Sequence, residues 1–364
     1  MSYNADCSAK ASGGSGFAGR RVAIMTIWSA NFGNRLQNYA MQYTLEQLGF
    51  IPFTLLRERR DVVKKLKRFA RRYVRKDRLF ACRRFDDEHI RFSAETVCPE
   101  YCTPGYESAF DKFVIGSDQV WNPEFPFNSD LEYLPAVAPA RKVAYAASFG
   151  VDRIERNRER TTCLLEGIPH VSVREDSGAR IVMDLIDKDV PVVVDPVMLV
   201  DPSQWLTIAR RPAMAPGGPF VASYMVGEGV DVEAVAYLEG YSGLSMMDAS
   251  AEGSELGPEG FLWLIANAEF VCTDSFHACA FSILFHRPFV AVARQSDDGD
   301  MSSRLDTLLG MCGLEARYRR RDELLVKDVA DCGEDVIDWD DVDARLSLKS
   351  EESLEWFAKA LGVG

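Results

Sequence analysis

The sequence predicts an α/β protein made of two Rossmann-like domains, whose parallel sheets face each other across a cleft. Short apolar runs alternate with helical segments along most of the chain, which is typical of parallel sheets covered by helices. The alternation forms two consecutive series, and 364 residues suit two domains of ordinary size. Polar residues follow most of the apolar runs, where open parallel sheets bind ligands.

Composition and the two series set the predicted domain boundaries. Residues 1–19 are rich in Ser, Gly and Ala and predict a disordered tail. We expect an N-terminal Rossmann-like domain over 20–166, a C-terminal Rossmann-like domain over 167–345, and a closing helix over 346–364.

The first series opens with Arg21–Trp28, an apolar run suited to a buried parallel strand. A polar loop follows, and then a helix from about Arg35 to Leu48, which Gly49 ends. Strand, tight loop and helix in this order form the opening unit of a doubly wound sheet. Later segments of this series predict two strands and a helix: Lys112–Ile115, Val143–Ala147 and Asp152–Glu166.

The second series repeats this alternation. Its apolar runs predict strands at His170–Val173, Pro191–Val194, Phe220–Met225, Leu244–Met247, Phe270–Cys272 and Pro288–Ala293. Helical spacing predicts helices at Gly260–Ala268, Ser275–Phe285 and Ser303–Met311. A last helix is expected after Ser350, ending at Gly362.

Charge is distributed unevenly along the chain. The net charge of −13 disfavours general nucleic-acid binding, because an acidic protein repels a phosphate backbone. Residues 57–84 nevertheless hold fourteen Lys and Arg against three acids, and predict a basic amphipathic helix. This helix is either a solvated cover of the sheet or a surface that attracts anionic lipid headgroups or a lipid-diphosphate-linked acceptor.

Cysteine usage and hydropathy predict a cytoplasmic protein. The nine cysteines form no C-x-x-C pair and fit reduced thiols. Residues 1–19 lack the apolar core of a signal peptide, and no apolar run is long enough to cross a bilayer. If the basic helix binds lipid, the protein would lie peripherally at the inner face of the membrane. No metal-ligand spacing is visible, so we expect neither a metal nor another cofactor.

Polar residues at the predicted strand ends outline a cleft lining. They are Asn31, Gly33, Asn34, Ser117, Asp118, Ser148, Arg174, Glu175, Asp195, Asp274, Ser275 and His277.

The strongest of these segments is Thr273–His277. Asp274 or Ser275 can cap the helix that follows, which places His277 in its first turn. Free N–H groups and the helix dipole favour a phosphate at such a position. A histidine there can transfer a proton to a leaving group, or can merely cap its own helix.

Two charged residues at other strand ends allow two interpretations each. The planar fork of Arg174 suits a carboxylate or phosphate, but Arg174 could equally form an ion pair across the domain seam. Asp118 could take a proton from a sugar hydroxyl, or accept N–H bonds from its own turn.

The remaining candidates carry weaker signals. Asn31 and Asn34 could bind an acceptor or cap the first helix, and Gly33 permits close backbone approach. Trp121 could stack on a sugar ring or lie buried. Arg304, early in a helix, could face an anion or pair on the surface.

Six segments in order resemble the polysaccharide pyruvyl transferase family. They are Asn31–Asn38, Val114–Asn122, Tyr145–Gly150, Val171–Glu175, Val194–Leu199 and Thr273–Ser282, and they lie within about residues 22 to 310.

The resemblance implies a GT-B-like fold with an acceptor-side N-terminal domain and a donor-side C-terminal domain. It implies a transferase that moves a pyruvyl group from phosphoenolpyruvate, its co-substrate, onto a sugar, often as a ketal. The acceptor would be a cell-surface polysaccharide or its precursor. His277, Arg174 and Asp118 fall on the family's key histidine, strand-end arginine and acidic residue.

The resemblance also groups the other candidates by expected role. Donor-binding residues would be Asp274, Ser275, Arg304 and Ser148, and acceptor-binding residues would be Asn31, Gly33, Asn34 and Trp121. In the expected reaction, the phosphate lies at the helix start and the carboxylate lies toward Arg174. Asp118 deprotonates the attacking hydroxyl, and His277 assists the departing phosphate.

One position departs from the family pattern. Well-studied members carry an arginine where this chain has Ser275, so its task would pass to another residue such as Arg304. Ser275 keeps open the alternative of an inactive scaffold of polysaccharide assembly. Two further alternatives are a GT-B glycosyltransferase that uses a sugar nucleotide on the same two-domain frame, and a small-molecule binding protein.

Overall fold

The computed structural model describes residues 19–27, 31–57, 78–99, 101–125, 128–227, 244–250, 255–293, 303–319 and 336–363. The predicted tail lies outside these ranges except for Gly19. Residues 58–77 of the predicted basic helix lie outside them as well.

A seven-stranded sheet forms the first half. Its strands in chain order are β1 (Arg21–Met25), β2 (Ile51–Leu56), β3 (Phe92–Cys98), β4 (Tyr101–Cys102), β5 (Lys112–Ile115), β6 (Lys142–Ala147) and β7 (His170–Val173). They lie in the order β4-β3-β2-β1-β5-β6-β7, and only the β3–β4 pair is antiparallel. Without β4 this is the Rossmann order, in which the winding reverses between β1 and β5 and opens a crevice at their carboxyl ends.

Four helices of the described ranges accompany the first sheet: α1 (Phe32–Gln47), α2 (Arg78–His89), α3 (Arg158–Glu166) and α4 (Asp176–Ile186). Helix α1 begins three residues before the predicted start, because the Asn31 side chain accepts a hydrogen bond from the Gly33 amide at 2.8 Å and caps the helix. The described end of the basic segment belongs to α2, whereas Arg57 follows β2 and pairs with Glu132.

A five-stranded parallel sheet forms the second half, with strands β8 (Phe220–Tyr224), β9 (Ser245–Asp248), β10 (Phe270–Thr273), β11 (Phe289–Val292) and β12 (Tyr318–Arg319). Their order β12-β11-β10-β8-β9 places the reversal between β8 and β10. Its helices are α5 (Pro202–Ile208), α6 (Pro258–Asn267), α7 (Phe276–Leu284), α8 (Ser303–Cys312) and α9 (Trp339–Leu361).

The predicted domain boundary near residue 167 is wrong. Strand β7 pairs with β6 in the first sheet, and Val192 forms a parallel bridge with Val173 instead of opening a strand of the second sheet. The second sheet therefore begins only at Phe220. Sequence could not show this, because an apolar parallel strand has the same pattern in either sheet.

The chain end returns to the first half. Helix α9 begins at Trp339, well before the predicted start, because Asp338 caps it by accepting a hydrogen bond from the Asp341 amide. Its Phe357 packs on Tyr145 of β6, with ring centroids 4.3 Å apart. The closing helix thus ties the second half to the first sheet.

The main apolar core is shared between the halves. Phe32 of α1 and Phe85 of α2 lie in the same buried cluster as Phe261 of α6 and Phe281 of α7. Because α1 begins at the carboxyl end of β1 and α7 at that of β10, this packing holds the two strand-end edges together along a seam.

Among the helices of the described ranges, none has the length and apolar character that a bilayer crossing requires.

Candidate active site

The starts of two helices meet at the imidazole of His277. Ser275 caps α7 by accepting a hydrogen bond from the Ala278 amide, which places His277 in the first turn. The ring lies against Gly33 in the first turn of α1, so closely that a Cβ at position 33 would come within 2.1 Å of Nδ1. Two helix N-termini, one from each half, thus converge on one titratable side chain, where partial positive charge favours an anion.

Asp195 lies on the other side of the imidazole. Its Oδ2 is 4.0 Å from Nε2 of His277 and accepts a hydrogen bond from Ser117 Oγ at 2.9 Å. Its Oδ1 accepts from the Val197 amide at 3.1 Å, and the side chain is fully buried. Sequence placed Asp195 at a strand end but gave it no role, since its partners come from other parts of the chain.

Arg174 is held by carboxylates. Its Nη1 donates to Asp195 at 2.6 Å and its Nη2 to Asp118 at 2.8 Å, while Nε lies 3.8 Å from Glu175. The Phe276 ring lies 4.5 Å from its Cζ, and the residue is 2% exposed. The structure therefore shows an ion pair, but its carboxylates belong to the same half as Arg174, so it does not cross the domain seam as expected. The expected bidentate contact with a donor carboxylate would require the hydrogen bonds of Arg174 to Asp195 and Asp118 to break.

Asp118 is stabilised as an anion. It accepts hydrogen bonds from Arg174, from the Asn34 side chain and, at 2.9 Å, from the Gln119 amide. Burial alone would raise its pKa, but the charges of Arg174, of His277 when it is protonated in acid, and of Arg304 outweigh burial and lower the pKa to about 2. Such a carboxylate is a weak base at neutral pH, which argues against the predicted role of Asp118.

His277 is poised as a neutral imidazole. Burial lowers its pKa, the carboxylates of Asp195 and Asp118 oppose that shift, and Arg174 and Arg304 add to it. Within the described part of the chain, its Nε2 has no hydrogen-bond partner. A neutral, incompletely bonded imidazole can accept a proton near pH 7. We call Asn34, Asp118, Arg174, Asp195 and His277 the seam cluster.

The predicted donor-binding residues differ in their hydrogen bonds and in their contacts with the seam cluster. Ser275 is the cap of α7, and Asp274 accepts hydrogen bonds from the Val226 and Gly227 amides at 2.7 and 2.8 Å. Arg304 is 7% exposed in α8, contacts the Gln119 side chain and influences His277 through its charge. Ser148 is fully buried, and its amide donates to the Asp118 carbonyl at 3.0 Å.

The predicted acceptor residues divide into two groups. Asn31, Gly33 and Asn34 lie at the seam, where Asn31 caps α1 and Asn34 binds Asp118. Trp121 is 1% exposed and stacks on Tyr133, with ring centroids 5.2 Å apart. The buried alternative is therefore the one that the structure shows for Trp121.

One group of metal-ligand type occurs among the described residues, outside the seam cluster. Glu88, His89 and Glu259 each offer an atom within 4.8 Å of the others. Arg84 lies 3.3 Å from Glu259 and Arg210 lies 2.7 Å from Glu88, so arginines already balance the two carboxylates. We assign no metal to this group.

Known proteins share the fold of this chain at low sequence identity. A Listeria monocytogenes protein described as a UDP-N-acetylglucosamine 2-epimerase matches with a TM-score of 0.51 and 10% identity, covering 94% of this chain and 91% of that one. The UDP-GlcNAc 2-epimerase from Methanocaldococcus jannaschii matches with a TM-score of 0.50 and 9% identity, covering 87% and 93%. Both likenesses concern the GT-B-like architecture alone. No curated protein matches the chain.

A sequence profile decides the family. The profile of polysaccharide pyruvyl transferases matches residues 31–296, which include the whole seam cluster and both helix starts that meet at His277. This match covers well over half of the chain and agrees with the order of the six segments and with the GT-B-like fold. The chain therefore belongs to the polysaccharide pyruvyl transferase family and is a transferase.

Proposed function

We propose that this transferase moves a pyruvyl group from phosphoenolpyruvate onto two hydroxyls of a saccharide and forms a ketal. The observation that carries the proposal is the position of His277, whose imidazole lies between the starts of α1 and α7. Helix N-termini favour a phosphate, and the imidazole can supply the proton that a departing phosphate requires.

The reaction balances without an oxidant. Water supplies a proton to the methylene carbon of phosphoenolpyruvate, which makes C2 electrophilic, and water regains a proton when the second hydroxyl reacts. A sugar hydroxyl attacks C2. Phosphate leaves with the C2–O bond electrons, and a second hydroxyl closes the ketal. The two hydroxyl protons are accounted for by the new methyl group and by the released phosphate.

His277 is the group that we assign to proton transfer. Its lowered pKa leaves it neutral at pH 7, so it can accept a proton from the attacking hydroxyl and then pass it to the departing phosphate. This differs from the role first expected for Asp118, whose pKa of about 2 makes it a poor base.

The other members of the seam cluster act through charge and position. Arg174 holds Asp118 and Asp195 in place, and Asp195 faces Nε2 of His277 at 4.0 Å. We therefore propose that Arg174 organises the site instead of gripping the donor, and that catalysis rests on preorganised charge. The proposal requires neither a metal nor another cofactor.

The acceptor belongs to a cell-surface polysaccharide or its lipid-linked precursor in this proposal. Support comes from the fourteen basic residues over 57–84, which would attract a lipid diphosphate or an anionic membrane surface. A cytoplasmic enzyme that contacts the inner face of the membrane peripherally fits this arrangement.

Phosphate release from phosphoenolpyruvate in the presence of nitrophenyl or lipid-linked sugars tests the function. We expect release to depend on the sugar, with a product whose mass and NMR spectrum show a pyruvyl ketal. A parallel thermal-shift screen of phosphoenolpyruvate against UDP- and GDP-sugars tests the glycosyltransferase alternative. Stabilisation by a sugar nucleotide alone, with no phosphoenolpyruvate turnover, would reject the proposal.

A further inference from the structure

Arg78, the first residue of α2, reaches across the seam. Its Nη2 donates to the hydroxyl of Tyr224 at 2.8 Å. Its Cζ lies 4.1 Å from the ring centroid of Phe32 and 5.6 Å from that of Tyr224. The guanidinium thus covers an aromatic pair contributed by both halves of the protein.

This aromatic pair borders the seam cluster. Phe32 directly precedes Gly33, which contacts His277. Tyr224 ends β8, and its carbonyl accepts a hydrogen bond from Thr273 at the end of β10. Arg78 is therefore placed where the start of α1 meets the carboxyl ends of β8 and β10, the crevice in which doubly wound sheets bind ligands.

The charge of Arg78 is not balanced by an acid in the described part of the chain. Neighbouring arginines are paired: Arg35 lies 2.9 Å from Asp86, and Arg84 lies 3.3 Å from Glu259. Arg78 instead has the Tyr224 hydroxyl and two aromatic rings, and its buried Nε has no hydrogen-bond partner among the described residues.

A bound anion would complete this arrangement. Removing part of a guanidinium from water without a counter-charge is unfavourable, and the remaining donors of the fork suit two oxygens of a phosphate or carboxylate. The rings hold the fork in place, which reduces the entropy lost when a ligand binds.

We propose that Arg78 binds an anionic group of the donor, the phosphoryl or carboxylate oxygens of phosphoenolpyruvate. The identity of the donor rests on the proposed function, whereas the anion contact itself rests on the geometry of Arg78. Both halves then contribute to the donor site, because α2 supplies the cation of Arg78 and α7 supplies the helix start.

Calorimetric titration of phosphoenolpyruvate, and separately of inorganic phosphate, tests this proposal. The variants are Arg78→Gln, Arg78→Lys and Tyr224→Phe, and the matched control is Arg83→Gln, an exposed position on the same helix that loses the same charge. We expect Arg78→Gln to weaken phosphoenolpyruvate binding about 10- to 100-fold, since charge-assisted hydrogen bonds are lost. Arg83→Gln should stay within about twofold of the wild type, because an exposed charge is screened by salt.

Two of the variants, Arg78→Lys and Tyr224→Phe, distinguish a role of Arg78 in anion binding from a role in packing. Arg78→Lys keeps the charge without the fork and should lose part of the affinity, and Tyr224→Phe should lose less because only the anchor of the fork is removed. Wild-type affinity in both Arg78 variants, with or without a lower Tm, would show that Arg78 only packs the seam and would overturn the proposal. Failure of the wild type to bind either anion would overturn it as well.

Failure of the proposed function gives a different pattern. Arg78-dependent binding of phosphate and phosphoenolpyruvate without any pyruvylated product would leave the anion contact standing and reject the reaction. Normal product formation with unchanged affinity in Arg78→Gln would reject the anion contact and leave the reaction standing.

Discussion

Gly33 and His277 bring the two halves into contact at the site, since a methyl group at position 33 would lie 2.1 Å from Nδ1 of the imidazole. A heavy-atom contact this short is not tolerated, and the atoms that would be met are all in the imidazole ring, so the ring would have to move. The absence of a side chain at position 33 therefore lets the imidazole occupy the start of α1.

Gly33→Ala is expected to displace His277 and lower kcat by at least about tenfold, because misplacing a reacting group costs catalysis steeply. Steady-state kinetics measure the loss, and ¹³C-histidine NMR reports the displaced ring, since the chain has only four histidines. Gly218→Ala is the control, as nothing lies within 4 Å of a Cβ there. Equal activity of the two variants would show that the contact is unimportant.

Arg174→Met is expected to destabilise the fold by about 3–5 kcal/mol, because Asp118 and Asp195 would remain as buried carboxylates without their cation. Urea unfolding measures the change. The control, Arg158→Met, removes an exposed ion pair with Asp184 and should alter stability little. A stable Arg174→Met protein with selectively weakened donor binding would instead support the donor contact first expected from sequence.

Asp118 should make stability depend on pH in the acid range. Its pKa falls from 3.8 to about 2 on folding, so the folded state favours the carboxylate. The resulting contribution, about 2 kcal/mol, is present above the unfolded pKa and is lost as the pH falls through about 2. Urea unfolding between pH 5 and pH 2 should show this loss in the wild type and in the exposed control Asp152→Asn. An equally steep loss in Asp118→Asn would contradict the assignment.

Trp121→Ala is expected to cost about 3–5 kcal/mol of folding free energy, since the ring is buried against Tyr133. The KM for the saccharide should change little once the remaining folded protein is taken into account. Trp121→Phe, which keeps an aromatic ring, should restore most of the stability. A large rise in KM without loss of stability would return Trp121 to the acceptor site.

Local structure could be predicted from the sequence where the residues that determine it lie within a few positions of one another. Lys112–Ile115 forms a strand with the predicted bounds, and Ser275 and His277 occupy the cap and first turn of α7 as expected. The strand–loop–helix unit around Asn31 and Gly33 also formed, with its cap one residue before Phe32. These features depend on apolar runs and capping residues that are close in sequence.

Pairings between distant segments were not readable. The bonds of Arg174 to Asp118 and Asp195 join residues 56 and 21 positions away, and the sequence left open both an ion pair and a donor contact. Sequence analysis also missed the place of β7 in the first sheet and the contact of Arg78 with Tyr224, which both join distant segments. It missed strand β2 as well, which contains Pro52. Local patterns do not specify the sheet or the neighbour that a residue meets.

The rate of the proposed reaction should follow the neutral form of His277. Because the pKa of His277 is lowered, kcat/KM should rise as the pH increases through a value below 6.5 and should be level at pH 7. Initial rates of phosphate release between pH 4.5 and pH 8 measure this profile. A rate that falls over the same interval as the pH rises would show that the protonated imidazole is the form the reaction needs.

The most direct measurement compares phosphate release from phosphoenolpyruvate by the wild type, His277→Gln and His286→Gln at pH 7 with one saccharide acceptor that the wild type pyruvylates. His286 is exposed and bonded to Asp343, so its variant controls for the loss of an imidazole elsewhere. The proposal predicts that His277→Gln is slower by about 10²- to 10⁴-fold with an unchanged Tm, and that His286→Gln is as fast as the wild type. Wild-type turnover by a folded His277→Gln protein would contradict the central claim.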